Sequence, residues 1–387
     1  MKSKKLFSLL LVLLMIGSVL PGCASSSNTS ATAAATSAAA PEAPAQEIEQ
    51  AAPSLAPTEE TDQEDPETRT VVDSKGNEAT LPYKVERVAT SGALNQMVLI
   101  LGQPQKIAAT AEGVQKSFFA TVYPGILDVP AAYTGAGPGT LNMETLVAAK
   151  PQAMFGAPED MKATLEAAGI ASLEVGLVTP EDIKRTLGIV AQVLGEGAEE
   201  NAAAFNEYYD RNLAFVSEGT KDAEKVRVFV AGSDGSAGGI SSIGRNDIHT
   251  SYIEAAGGLN IVAEDAELSA EAAPSVDFEY LMKAQPDVVI VSAKNAYDSI
   301  LAPGEENLWR KLDAVATGKV YLVPKGVYLW NVRSCEGALQ PLFLASVLHP
   351  DLFPDLDVKQ EAKDFYERFY HYELTDAEVE DIFSQNT

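Results

Sequence analysis

Between residues 198 and 220 the apolar positions recur at helical spacing. Phe205, Tyr209, Leu213 and Val216 share one face of AEENAAAFNEYYDRNLAFVSEGT, with Tyr208 beside them. The stretch follows a break at Gly195-Glu196-Gly197 and predicts a helix of roughly 35 Å, at about 1.5 Å per residue. On either side, short strand-like runs alternate with amphipathic helices. Upstream, a hairpin is predicted over 70–82, turning at Lys75-Gly76-Asn77. Strands follow at 87–90, 106–110, 153–155 and 172–175. Between them lie a helix carrying Leu94, Met97, Val98 and Leu101, a second over 161–168, and a third from Thr179-Pro180-Glu181-Asp182 to Gly195. Downstream, strands are predicted at 226–231, 288–292 and 319–323. Helices are predicted through Tyr252, through Arg333, Leu339, Leu342 and Leu344, and at 360–369 and 376–383.

One unit occurs twice. Asn142-Met143-Glu144-Thr145-Leu146 runs to Lys150-Pro151, and Asp277-Phe278-Glu279-Tyr280-Leu281 runs to Gln285-Pro286. The two glutamates are 279 − 144 = 135 positions apart. Each unit predicts a short capped helix that stops at proline and feeds a strand. Alternating strands and helices point to parallel sheets. The expectation is an α/β protein of two Rossmann-like lobes, 69–196 and 224–387. A single long helix over 197–223 joins them, and a ligand cleft lies between. Periodicity alone also allows that helix to lie on the surface of one domain.

Composition adds the environment. The net charge of −27 disfavours nucleic acid as a partner. Lys2, Lys4 and Lys5 precede an apolar run over 6–20, too short for a comfortable membrane span, which ends Leu20-Pro21-Gly22-Cys23. This resembles the bacterial lipoprotein box and implies a signal peptide over 1–22 with a lipid on Cys23. Pro21 departs from the usual small or aliphatic residue, and an ordinary secretory signal is the alternative. Residues 24–68 hold nine carboxylates and no Lys or Arg, so 23–68 reads as a disordered acidic tether on the membrane's outer face. With Cys23 lipidated, Cys335 has no disulfide partner and reads as a small buried residue.

An acyl-anchored α/β chain with these duplicated units resembles the solute-binding lipoproteins of ABC importers for iron-siderophores, haem and vitamin B12. The resemblance spans roughly 70–383. It rests on Arg87-Val88, the two Glu units, Ala255-Ala256-Gly257-Gly258-Leu259-Asn260 and Leu348-His349-Pro350-Asp351-Leu352-Phe353. It implies that Glu144 and Glu279 dock onto arginines of the two permease subunits that work with an ATPase. Each glutamate also favours its own helix dipole, which is enough to explain its position. The resemblance further implies an extracytoplasmic transport role and a metal-chelate ligand.

Ligands of such folds sit at the carboxyl ends of strands, which points to loops. The binding candidates are Asn95, Tyr133, Ser233, Arg245, Tyr328, Trp330 and Arg333. Glu112, the Gly135-Ala136-Gly137-Pro138-Gly139 turn, Gly156 and Ser292 lie nearby. Arginine beside aromatics suits an anionic, planar or chelate ligand. The alternatives are Trp330 anchoring a loop and Arg333 pairing with Glu336 one turn on. A small oxyanion such as molybdate would use backbone N–H groups and one or two arginines instead. A bare metal ion is disfavoured because only His249, His349 and His371 are present. The glycine turns match neither a dinucleotide fingerprint nor a P-loop. An enzyme on this scaffold would need a base beside a nucleophile, and Ser233-Asp234 lacks a histidine. The expectation is therefore a binding protein that uses neither cofactor nor catalytic residue.

Overall fold

The structure is a computed structural model that describes residues 67–134, 141–271 and 273–387. The residues read as a signal peptide, Cys23, nearly all of the stretch read as a tether and the Gly135 turn lie outside the described residues. Strands Thr68–Val72 and Glu78–Pro82 pair antiparallel as the predicted hairpin. Asp73 closes its turn by accepting from the backbone N–H of Lys75 and Asn77, and Gly76 takes the left-handed φ of 85° there.

Two parallel sheets follow. The first orders Ala131–Tyr133, Ile107–Ala111, Val88–Ala89, Ala153–Phe155 and Ala171–Leu173 side by side. The second orders Gly258–Asn260, Val226–Ala231, Val288–Val291 and Val320–Leu322. Strand period explains why the second sheet reads as continuous hydrophobic runs. Val228, Val230, Val288 and Ile290 face one core, while Phe229, Ala231, Val289 and Val291 face another. The strands Ala131–Tyr133 and Gly258–Asn260 are absent from the sequence expectation. Each is three residues long, too short to show a period.

The long helix runs over Ala198–Thr220. Ala198, Ala202, Phe205, Tyr209, Asn212, Val216 and Thr220 form its buried stripe. Asn201 at its start donates to Leu101 O (3.2 Å), in the first lobe. Farther along, Asn212 donates to Ala338 O (2.9 Å), and Thr220 to Ala255 O (3.2 Å), both beyond the helix. The helix thus joins the two sheets.

Two expectations need correction. The helix expected to carry Arg333 begins only at Gln340 (Gln340–Leu348). Ser334 caps a short 3-10 turn, Cys335–Ala338, before it, and this leaves Arg333 in a loop. The helix expected over 360–369 runs Val358–Phe365 and then widens into a π-turn, Tyr366–Tyr370. This segment returns to the first lobe. Phe365 and Phe369 stack on Phe205 and Tyr208 of the long helix, and Gln96 donates to Tyr370 Oη (3.1 Å). One hydrophobic core consequently runs from Val71 through both lobes to Ile382.

Candidate functional site

The loop leaving strand Val320–Leu322 carries Tyr328, Trp330, Asn331 and Arg333. It is pinned from below by Glu336, which accepts from the N–H groups of Val327 (3.1 Å) and Tyr328 (2.9 Å) and from the Tyr366 hydroxyl. Tyr366 in turn packs on Phe118, which follows strand Ile107–Ala111 of the first sheet, with ring centres 6.2 Å apart. Segments that follow the carboxyl ends of both sheets are thereby linked. Such ends are where ligands of parallel α/β folds bind.

Arg333 is exposed in this region. Among the described residues it has neither a hydrogen bond nor an ion pair. Its charge acts on half-buried Tyr328 and on half-buried Asp247. Burial raises the pKa of Asp247, and the Arg333 charge works against that rise. Arg245 is also exposed; it donates to Ala263 O (2.9 Å), and among the described residues its other guanidinium N–H groups have no partner. Behind them, Asn331 Nδ2 bonds Ser292 Oγ (2.9 Å) and His249 Nδ1 (3.1 Å), and Gln340 meets His249 Nε2 (3.1 Å). Full burial drops the His249 pKa to about 3, so the ring is neutral. A neutral imidazole has one donor and one acceptor, so one of the two amides must present its oxygen to it.

Several candidates are not where the sequence reading put them. Trp330 is 0% exposed and packs edge-on against Phe383 at 5.6 Å, so its ring anchors the core and offers no face to a ligand. Tyr133 is buried against Met154, and burial raises its pKa. Asn95 is wholly buried and satisfied. It accepts from Thr90 (2.6 Å) and Thr110 (2.9 Å) and donates to Gly92 O (3.1 Å), tying the loop that leaves strand Val88–Ala89 to strand Ile107–Ala111. Ser233 accepts from Ser241 N–H (3.0 Å). Asp234 is held by Ser299 and Ser236, which lower its pKa to about 2, so the pair braces a turn. Arg333 does not pair with Glu336, whose carboxyl group is buried and taken by Tyr366 and the loop backbone. Cys335 is buried, and His349 Nε2 meets Gly257 O (3.2 Å). Asp247 and Asn331 were missed. Asp247 had a sequence signal, as a cap residue before the apolar run of helix Ile248–Ala255.

The two Glu units are built alike. Helices Met143–Ala149 and Phe278–Ala284 each have seven residues. Asn142 and Asp277 cap them by accepting from Thr145 (3.0 Å) and Tyr280 (2.8 Å). Lys150 and Gln285 end them in the left-handed conformation. Arg87 donates to Ala149 O, and Arg227 to Ala284 O, so an arginine holds each carboxyl end. Gln152 and Asp287, also 135 apart, accept from the N–H groups of Arg87 and Arg227. Glu144 and Glu279 are exposed, and among the described residues neither has a cation partner.

The family model described as "periplasmic binding protein" matches residues 88–327, from the first sheet through the loop before Tyr328. The chain is a periplasmic binding protein. The molybdate-binding protein MolA of Haemophilus influenzae is 24% identical over 263 residues, covering 61% of this chain and 72% of MolA. Its molybdate-bound structure superposes with a TM-score of 0.67 over 79% of this chain and 99% of MolA. A periplasmic solute binding protein from Veillonella parvula is 23% identical, with a TM-score of 0.71 over 82% of this chain and 98% of that one. The vitamin B12 binding protein BtuF of Vibrio cholerae is 18% identical, with a TM-score of 0.54 over 68% and 96%. The binding protein thus has the two-lobed, helix-joined fold of the siderophore and vitamin B12 class. It is a transport component acting outside the cytoplasm with an ABC permease and ATPase, and its relatives are binding proteins, not enzymes.

Proposed function

We propose that this binding protein captures a small oxyanion of the molybdate type and delivers it to its permease. One observation carries the reading. Arg333 and Arg245 stand exposed at the strand ends, while two of the three aromatic candidates for stacking on a chelate, Trp330 and Tyr133, are inside the core. Guanidinium groups match an oxyanion by paired N–H donors, and the hydroxyl of half-buried Ser292 adds a neutral donor. The MolA likeness supports the same class. Half-buried Tyr328 beside Arg333 favours a second reading, an anionic iron-siderophore, haem or corrinoid.

Calorimetric titration of the purified protein with molybdate, tungstate, sulfate, a ferric siderophore, haem and cobalamin separates the two. Molybdate or tungstate is expected to bind, with affinity falling at least about tenfold in Arg333→Ala, a loss of one charge-assisted contact. Binding of a chelate with no response to molybdate would replace the oxyanion reading by the second. An Arg333→Ala protein with unchanged affinity would remove Arg333 from the site.

We also propose that residues 1–22 are cleaved, that Cys23 carries the lipid and that 23–68 tethers lobes 69–196 and 224–387, joined by 197–223, to the membrane. Cells fed radiolabelled palmitate should label the protein but not its Cys23→Ser variant; equal labelling would sink the anchor.

A further inference from the structure

The duplicated helices carry a second matched pair. Val147 is 46% exposed and Met282 is 39% exposed. Both are large apolar side chains left in water, and they are 282 − 147 = 135 positions apart, the offset of the two glutamates. Each sits three residues after its glutamate, on the same helix face. The opposite face is anchored, since Leu146 and Leu281 are fully buried. Arg87 and Arg227 hold the carboxyl ends of the two helices, so neither exposed side chain is a product of fraying.

We propose that Val147 and Met282 are apolar contact points of the permease interface. Each would seat in a hollow beside the cation that meets Glu144 or Glu279. The proposal rests on the reading that those glutamates dock. The occupant is a pair of equivalent permease subunits, for two reasons on this surface. Among the described residues the carboxylates have no cation partner, and the patch is duplicated, as a twofold partner requires. The division of labour follows from the chemistry. Rim carboxylates act mainly on the rate and register of encounter, while desolvated apolar side chains act on how long the complex lasts. The two halves are not identical. Met282 is longer and more adaptable than Val147, and exposed Lys283 beside it stands where the first lobe has Ala148. The second lobe therefore tolerates a less regular hollow.

The test places a photo-crosslinking residue at Val147, Met282 or, as a control on another face, Leu352, which is 48% exposed. The chains are produced in the native host and irradiated in intact membranes. Positions 147 and 282 are expected to give adducts with an ABC permease subunit identified by peptide sequencing, and Leu352 none. Association is then measured on that permease and its ATPase in nanodiscs. Val147→Ser with Met282→Ser is expected to weaken binding at least about tenfold through faster dissociation. Glu144→Arg with Glu279→Arg should slow association. If the apolar pair changes dissociation less than twofold while the charge reversal abolishes binding, the apolar proposal fails and docking stands. If neither pair has an effect, or Leu352 crosslinks equally, the docking reading itself fails.

Discussion

Glu336 shows how one residue can set a property of the whole chain. Burial raises its pKa from the ordinary carboxylate range to about 7, and the donors Tyr366, Tyr328 and Val327 only partly oppose this. The fold therefore favours its protonated form. A group raised in the folded state adds stability that is complete below its unfolded pKa and is lost as pH rises through the folded one. For Glu336 that window runs from about 4.5 to about 7, and the loss is of order 3 kcal/mol. His249 acts in the opposite direction. Its folded pKa is lowered to about 3, so its contribution grows as pH rises and is complete near 6.5. Above that pH the Glu336 slope is free of His249. Glu336→Gln is expected to flatten the decline of the urea midpoint between pH 6.5 and 8. Parallel curves for wild type and variant would show that Glu336 is ionised in the fold. Because Glu336 also holds the N–H of Tyr328, the same titration tests what keeps the Tyr328 loop in place.

At the level of elements, legibility followed locality. The Asn142 and Asp277 helices were readable because cap, amphipathic turn and following proline all lie within ten residues. The long helix was readable because Gly195 and Gly197 mark its start and its buried stripe keeps one period. Arg333 was misplaced for the same reason. Its neighbours Leu339, Leu342 and Leu344 form a helical pattern, yet Ser334 diverts the chain into a 3-10 turn first. Trp330 could not be placed because its partner Phe383 lies 53 positions downstream, 383 − 330. The same indole could equally have served a ligand. Asn95 posed the same problem. Its bonds to Thr90 and Gly92 are local, but the one to Thr110 needs the parallel pairing of two strands.

The two lobes are bridged twice, and this decides how the whole molecule moves. A continuous helix bends less readily than a pair of extended crossing strands. The Val358–Tyr370 segment adds a second bridge, with Phe365 and Phe369 on Phe205, Tyr366 on Phe118 and Tyr370 on Gln96. Opening the lobes would pull these rings from a shared core, at roughly 3–5 kcal/mol for one buried phenylalanine. Ligand contacts alone would have to offset that cost, so closure should be small. Small-angle X-ray scattering of the free and ligand-saturated protein is expected to give radii of gyration within about 1 Å, as for pre-organised complexes. Phe365→Ala removes the second bridge's central ring and should enlarge the free form, so that a ligand-driven contraction appears. A wild-type contraction of several ångströms would mean that the C-terminal bridge yields, and that the spacing of Glu144 and Glu279 reports ligand occupancy to the permease. On the proposed docking, a fixed spacing would leave the permease to sense the loaded state through the proposed ligand residues Arg245, Tyr328 and Arg333.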